Sequence, residues 1–109
     1  MLQEPVIIQD FIGNLAPGAN ESSEDIPCVG QVLVYGLAYS DAAATLEISQ
    51  GVNDLGGVKQ YRHTVSIPIA ALTAEPFQVL VYGKFVKTNI VAGLGAANVE
   101  VFAALRSLD

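Results

Sequence analysis

The chain has no tryptophan, one cysteine, one histidine and five basic residues, and each shortage excludes a class of chemistry. A lone cysteine, Cys28, forms no disulfide within the chain and no multi-cysteine metal site. A lone histidine, His63, rules out multi-histidine metal centres and leaves Cys28 and His63 as the one nucleophile–base pair to weigh. Cys28 belongs to an apolar stretch read as a strand, where cysteine is ordinarily an inert small hydrophobe. His63 alternates with Tyr61 and Val65 and reads as a packed or half-exposed strand residue. Without tryptophan the commonest platform for stacking sugars is missing, and Tyr35, Tyr39, Tyr61 and Tyr82 fall in strand patterns where burial accounts for them. The acids form no recognisable glycosidase pair. No catalytic residue, cofactor or metal ligand is therefore expected, and the chain reads as a non-enzyme.

Charge is scarce as well: 15% of residues carry one, against about 25% in an average soluble domain. The bases, Lys59, Arg62, Lys84, Lys87 and Arg106, all lie in the second half, and Glu4, Asp10, Glu21, Glu24, Asp25, Asp41, Glu47 and Asp54 precede them. A net charge of -6 and a pI near 4.4 argue against nucleic acid, whose phosphates need clustered Lys or Arg. No apolar run approaches the roughly 18 residues of a membrane span; even Val29 to Tyr39 contains Gln31, Gly30 and Gly36. The N-terminal MLQEPVIIQD has an acid where a signal peptide has a base, so synthesis in a cytoplasm without a signal is expected.

What the sequence does contain is β-structure. The 109 residues suit one domain of about 100 to 150 residues. Phe77 to Val91, FQVLVYGKFVKTNIV, is the longest stretch whose composition favours strands, a pair of them interrupted at Gly83-Lys84. Residues 44 to 50 alternate cleanly, Leu46 and Ile48 inward against Thr45, Glu47 and Ser49. Val58 to Ile67 and the segment ending Val99, Val101, Ala103, Leu105 alternate likewise, the latter turning Phe102 outward with Glu100 and Arg106. Gly51 to Gly57, GVNDLGG, reads as a loop. It offers one carboxylate where a calcium loop supplies several, and no helix follows to make a phosphate cradle. The tally, about eight short strands and no helix, predicts an all-β fold: a single antiparallel β-sandwich, jelly-roll or Ig-like. It spans 1–109, with 1–25 as a partly extended N-terminal arm.

Val29 to Tyr39 is apolar on both faces, with Val32 and Val34 on one side and Leu33, Tyr35, Leu37 and Tyr39 on the other. Both sides of such a strand need covering. With a mean hydropathy of +0.44 and few charges, part of that cover is expected from other subunits, with a trimer the leading expectation. Tyr35, Tyr39 and Phe102 are the apolar interface candidates. Lys84 and Lys87 are the charged ones.

The order of motifs adds a resemblance. Leu15 to Asn20 (LAPGAN), Ser22 to Ile26 (SSEDI), Ala44 to Gln50 (ATLEISQ) before a glycine-rich turn, Phe77 to Lys87 (FQVLVYGKFVK) and a last alternating strand follow one another. The progression resembles small β-sandwich virion proteins of tailed bacteriophages, of the head-decoration or head-fibre-associated type. That group shows a threonine-leucine-polar-isoleucine strand before a Gly/Asn turn, and an aromatic-valine-lysine strand after a glycine. Thr45 to Gln50 and Gly83 to Lys87 match, whereas Asn53-Asp54-Leu55 departs where an aromatic often follows. The resemblance implies a non-enzymatic structural virion protein, made in the host cytoplasm, that decorates or stabilises a phage capsid. Its partners would be itself, as a homo-oligomer, and virion proteins such as a major capsid protein, with no nucleic acid and no membrane. The alternative is a carbohydrate- or receptor-binding β-sandwich module of a phage tail or cell-surface assembly.

If Cys28 has packing value only, Cys28→Ala and Cys28→Ser keep self-association unchanged in light scattering. Loss of association in a variant with a wild-type circular dichroism spectrum would contradict that reading.

Overall fold

Alternating apolar and polar side chains make strands, and here the order in which the strands pair decides the architecture. The computed structural model describes residues 5–108. Its strands are β1 (Val6–Leu15), β2 (Asn20–Ser22), β3 (Ile26–Pro27), β4 (Val32–Ser40), β5 (Ala44–Gly51), β6 (Asn53–Leu55), β7 (Val58–Gln60), β8 (His63–Ile69), β9 (Glu75–Val81), β10 (Phe85–Ala92) and β11 (Ala97–Ser107). No helix occurs among the described residues.

The antiparallel ladders are nested. β1 pairs with β11, β2 and β3 with β10, β4 with β9, and β5 with β8. The chain is thus one long folded-over hairpin. Pairing of β11 with β4 and of β10 with β5 rolls that hairpin into two sheets, β1-β11-β4-β9 and β2/β3-β10-β5-β8. This is the jelly roll rather than the Ig-like sandwich. Below, the first sheet is called A and the second B.

The inner faces supply the core. Val34, Leu46, Ile48, Val81, Val86 and Ile90 are fully buried, and Ile69 and Val99 are 1% exposed. Thr45 and Glu47 point away from it, as the alternation predicts. Phe77 fills the space beside Gly36, its partner across β4 and β9. A Cβ on Gly36 would lie 1.8 Å from the Phe102 carbonyl oxygen and 2.9 Å from the Phe77 ring, so only glycine lets these strands approach.

Two buried amides tie the layers together. The Gln9 side chain of sheet A accepts from Thr88 Oγ1 of sheet B at 2.7 Å and donates to the Glu21 carbonyl at 3.0 Å. Gln50 Oε1 accepts from the backbone N–H groups of Tyr82 (2.8 Å) and Gly83 (3.0 Å). That second amide pins the turn that carries the chain from β9 to β10. Buried polar groups satisfied in this way fix one packing, because an orphaned partner costs about 1–3 kcal/mol.

Several local expectations are corrected. The stretch 77–91 is a pair of strands in sequence but not in space: β9 lies in sheet A and β10 in sheet B. The loop 51–57 contains a β-hairpin, β6–β7, in which Leu55 pairs with Val58 across Gly56-Gly57. Both glycines have positive φ, 63° and 83°, the requirement of the tight two-residue turn that matches strand twist. The strand read at 58–67 breaks after Gln60 and resumes at His63. Cys28 and Val29 to Gln31 are a connection rather than strand, with Gly30 at φ 73° and Val29 88% exposed. Within the 1–25 segment read as an arm, residues 6–15 and 20–22 are built into the two sheets, since β1 pairs along its length with β11 and β2 pairs with β10. Residues 1–4 of that segment lie outside the described residues.

Leu46→Asp or Ile48→Asp places an unpaired carboxylate between the sheets, at sites with no exposure. The cost exceeds the roughly 5–15 kcal/mol by which small domains are stable. Both variants are expected in the insoluble fraction or without a cooperative melt; a soluble, cooperatively melting variant would show that this face is not the core.

Candidate assembly surface

The molecule is a slab of 38 × 36 × 18 Å, so the outward faces of the two sheets make up much of its surface, and they differ. On sheet B most outward side chains are polar, and several are bonded to one another. Asn20 donates to Asn89, Asn89 donates to Glu47, and the Ser49 and Thr64 hydroxyls meet at 2.9 Å. The large apolar group on that face, Phe85, is covered by the chain itself. Tyr61, just after the β6–β7 hairpin, sets its ring edge-on to Phe85 at 5.4 Å. Lys59 Nζ lies 5.1 Å from the Phe85 ring and Lys87 Nζ 4.4 Å from the Tyr61 ring, so both ammonium groups close the cluster by cation–π contact.

Sheet A has no such cover. Read across β1, β11, β4 and β9, its outward rows are Ile12–Glu100–Tyr39, Asp10–Phe102–Leu37–Pro76, Ile7–Ala104–Tyr35–Gln78 and Arg106–Leu33–Leu80. Ile12 is 78% exposed, Ile7 56%, Leu37 48% and Phe102 41%. A shallow depression of about 200 Å³ lies among Asp10, Ile12, Leu37, Tyr39, Glu100 and Phe102. An apolar field of this kind, rimmed by charge, is the ordinary mark of a contact surface.

A polar row ends the field at one side. Asn14 donates to Asn98, and the Asp41 carboxylate accepts from Asn98 N and Asn98 Nδ2, each at 2.8 Å. These bonds hold the Asp41 carboxyl below the usual carboxylate range, the backbone N–H of Asn98 being the larger cause and its side chain the second. They lock the β4–β5 turn to the start of β11, next to Tyr39 and Glu100.

The five sequence candidates divide. Tyr35, Tyr39 and Phe102 share the outward face of sheet A. Lys87 is on the opposite face, stacked on Tyr61, and Lys84 sits in the β9–β10 turn, its carbonyl accepting from Cys28 N–H. Leu33, Leu37, Ile7, Ile12 and Arg106 also belong to the surface. Strand parity in β4 and β11 could have added Leu33, Leu37 and Arg106, whereas Ile7 and Ile12 depend on β1 lying beside β11, which only the fold reveals. The Cys28 thiol is buried, its pKa raised by desolvation, and it lies 3.6 Å from the Ile26 carbonyl. His63 instead lines an open cleft with Gln50, Leu80 and Tyr82. No cluster of three or more His, Cys, Asp or Glu suited to a metal occurs among the described residues.

No family model and no curated protein matches the chain. Solved structures do. The PBSX exported protein XepA superposes with a TM-score of 0.70 at 18% identity over 97% of this chain, which spans 38% of XepA's length. A chain of the disulfide-linked pili that form Bacillus endospore appendages matches with a TM-score of 0.51 at 13% identity, covering 100% of this chain and 95% of that one. A chain from infectious bursal disease virus, Gx strain, gives a TM-score of 0.51 at 12% identity over 95% of this chain and 33% of its own. At these identities the likeness is one of fold.

The Asp41 clamp predicts a pH signature. A carboxyl whose folded pKa is depressed stabilises the fold above its unfolded pKa, and the contribution disappears as pH falls through the folded value. Asp41→Asn should melt below wild type by a constant margin above about pH 5 and converge with it below about pH 4. A margin that persists undiminished to pH 2 would show that charge at Asp41 is not what the clamp uses.

Proposed function

We propose that this chain is a non-enzymatic structural module of a virion, which decorates or stabilises a phage capsid by laying the outward face of sheet A on a partner. Its partners on this reading are further copies of itself and shell proteins such as a major capsid protein. The observation that carries the reading is the contrast between the two broad faces. Sheet B's outward strand residues are mostly polar and partly self-covered, the exposed Leu55 and Val58 lying on the β6–β7 hairpin, while the strands of sheet A leave Ile7, Ile12, Leu37 and Phe102 exposed. A second support is the jelly roll shared with the PBSX exported protein and with a chain of a virus particle. A shared fold alone does not assign a role, so the face carries the argument.

The carbohydrate- or receptor-binding reading has one observation in its favour. Tyr82, 70% exposed, stands beside His63, Arg62 and Gln50 in a cleft at one end of the slab, an aromatic plane with polar neighbours of the kind sugars use. The Gln50 carbonyl oxygen there is already committed to backbone N–H groups.

On the structural reading, burial of apolar area holds the contacts, and burial tolerates moderate salt and is strengthened by excluded salts such as sulfate. Association measured by light scattering should persist from low salt to about 1 M sodium chloride, where the Debye length falls to about 3 Å. The chain should co-sediment with shells of the phage that encodes it, and Leu37→Asp should abolish both behaviours without altering the melt. Dissociation by salt would assign the contact to charge pairs. Glycan binding lost in Tyr82→Ala, with no shell binding, would establish the second reading instead.

A further inference from the structure

We infer that sheet A is self-complementary, and that two copies stack face to face through it about a two-fold axis that runs antiparallel strands over one another, pairing Glu100 with the partner's Arg106. The inference rests on sheet A being the assembly surface and goes on to name the occupant and the register.

The argument begins with charges. Glu100 and Arg106 both point outward from β11, and both are exposed. Among the described residues the ion pair present joins Lys59 to Asp54, and neither Glu100 nor Arg106 has such a partner. They lie six positions apart on one strand, about 20 Å at 3.4 Å per residue, too far to meet within a copy. Arg106 lies 6.0 Å from the Tyr35 ring of its own copy, and an ion pair between Glu100 and Arg106 can form only across two copies.

The geometry then selects the axis. Twisted sheets that stack in aligned fashion keep their strands within about 30° of each other, so columns stay near columns. A two-fold axis in the contact plane and perpendicular to the strands, passing over Ala103, sets β11 on the partner's β11 in reverse. Glu100 then faces the partner's Arg106 twice, once from each copy. Phe102 comes over the row of the partner's Ala104, and Leu37 comes over the partner's Tyr35. The other in-plane two-fold axis, parallel to the strands, sets β11 on the partner's β4. It lays Glu100 on the partner's Tyr39, Arg106 on the partner's Leu33 and Asp10 on the partner's Pro76, three unpaired charges per copy, against one, Asp10 over the partner's Ile7, for the first axis.

The area also fits. Four strands about 4.8 Å apart, with outward rows about 6.8 Å apart, cover about 500 Å² per copy. Two copies therefore bury about 1,000 Å², the lower bound of specific interfaces. The expected species is a reversible dimer that forms at micromolar concentrations. The trimer expected from sequence rested on surplus apolar area alone; the charge pattern is two-fold.

Charge exchange tests this. Sedimentation velocity on wild type, Glu100→Lys, Arg106→Glu and the double variant, from about 1 to 200 µM at low salt, reads dimer fraction directly. Both sites are exposed, so wild-type melts are expected throughout. Each single variant sets like charges together twice and should dimerise at least tenfold more weakly. The double variant should recover, and so should an equimolar mixture of the two single variants, since each copy then meets opposite charge at both ends. If neither the double variant nor the mixture recovers, the register is wrong, while loss of association in Leu37→Asp would leave the assembly surface standing. A wild-type mass of three copies overturns the two-fold arrangement alone. A wild-type chain that stays monomeric to 200 µM overturns the self-complementary contact.

Discussion

The placement of β11 between β1 and β4 is the constraint on which the rest of the domain depends. The final strand closes the first ladder, joining the start of the described chain to its end, and it also carries β4 and β9 into the same sheet. Its inward residues, Val99, Val101, Ala103 and Leu105, complete the core. Its outward residues, Glu100, Phe102, Ala104 and Arg106, form the central column of the exposed face. One alternating segment therefore specifies both the inside and the outside of sheet A, and a slip of one residue would exchange them.

Two glutamines show how few polar groups hold the layers in place. Gln9 and Gln50 are each 6% exposed. Gln9 joins β1 to β10 through Thr88, and Gln50 joins β5 to the turn between the sheets. In a core otherwise built from interchangeable apolar residues, such bonds select one alignment of the sheets, because sliding would leave buried amides unpaired. They act away from sheet A's outward face, which remains free of polar cross-links between Asn98 and Arg106. Rigidity inside and apolar exposure outside thus come from separate sets of residues.

Much of this was legible in the sequence where alternation is strong. The parity of Leu46 and Ile48, of Val32 and Val34 against Leu33, Tyr35, Leu37 and Tyr39, and of Phe102 against Val101 follows from period two alone. Local pattern does not say which sheet a strand joins, and so β9 and β10 read as a pair although they lie in different sheets. The β6–β7 hairpin was missed because its strands are three residues each and its apolar residues, Leu55 and Val58, are exposed at 66% and 62%. Sequence groups Lys84 and Lys87 with Tyr35 because local pattern does not show that Lys87 lies in β10 of sheet B and Lys84 in the turn before it. The split between acidic and basic halves dissolves for the same reason, since nested pairing sets early strands beside late ones, β1 beside β11 and β5 beside β10.

The edges of the sheets explain why face-to-face contact is the route left open. A bare edge strand invites another chain to add its own strand, and such growth has no natural end. Here β8 and β9, edge strands of sheets B and A, contain Pro68 and Pro76, and β3 on the far side of β10 contains Pro27. A proline supplies no N–H to a ladder and is tolerated only at an edge. The fourth edge, β1, has a register shift between Ile7 and Gln9 and the charge of Asp10, both of which spoil a straight template. With the edges blocked and sheet B's strands largely hydrated, the outward face of sheet A is the broad apolar face left open, the exposed Val29, Val52, Leu55, Val58, Leu72 and Leu94 lying on loops and on the β6–β7 hairpin. In the proposed dimer, a contact confined to one face and made isologous by opposite charges at its two ends closes on itself as a pair and does not propagate.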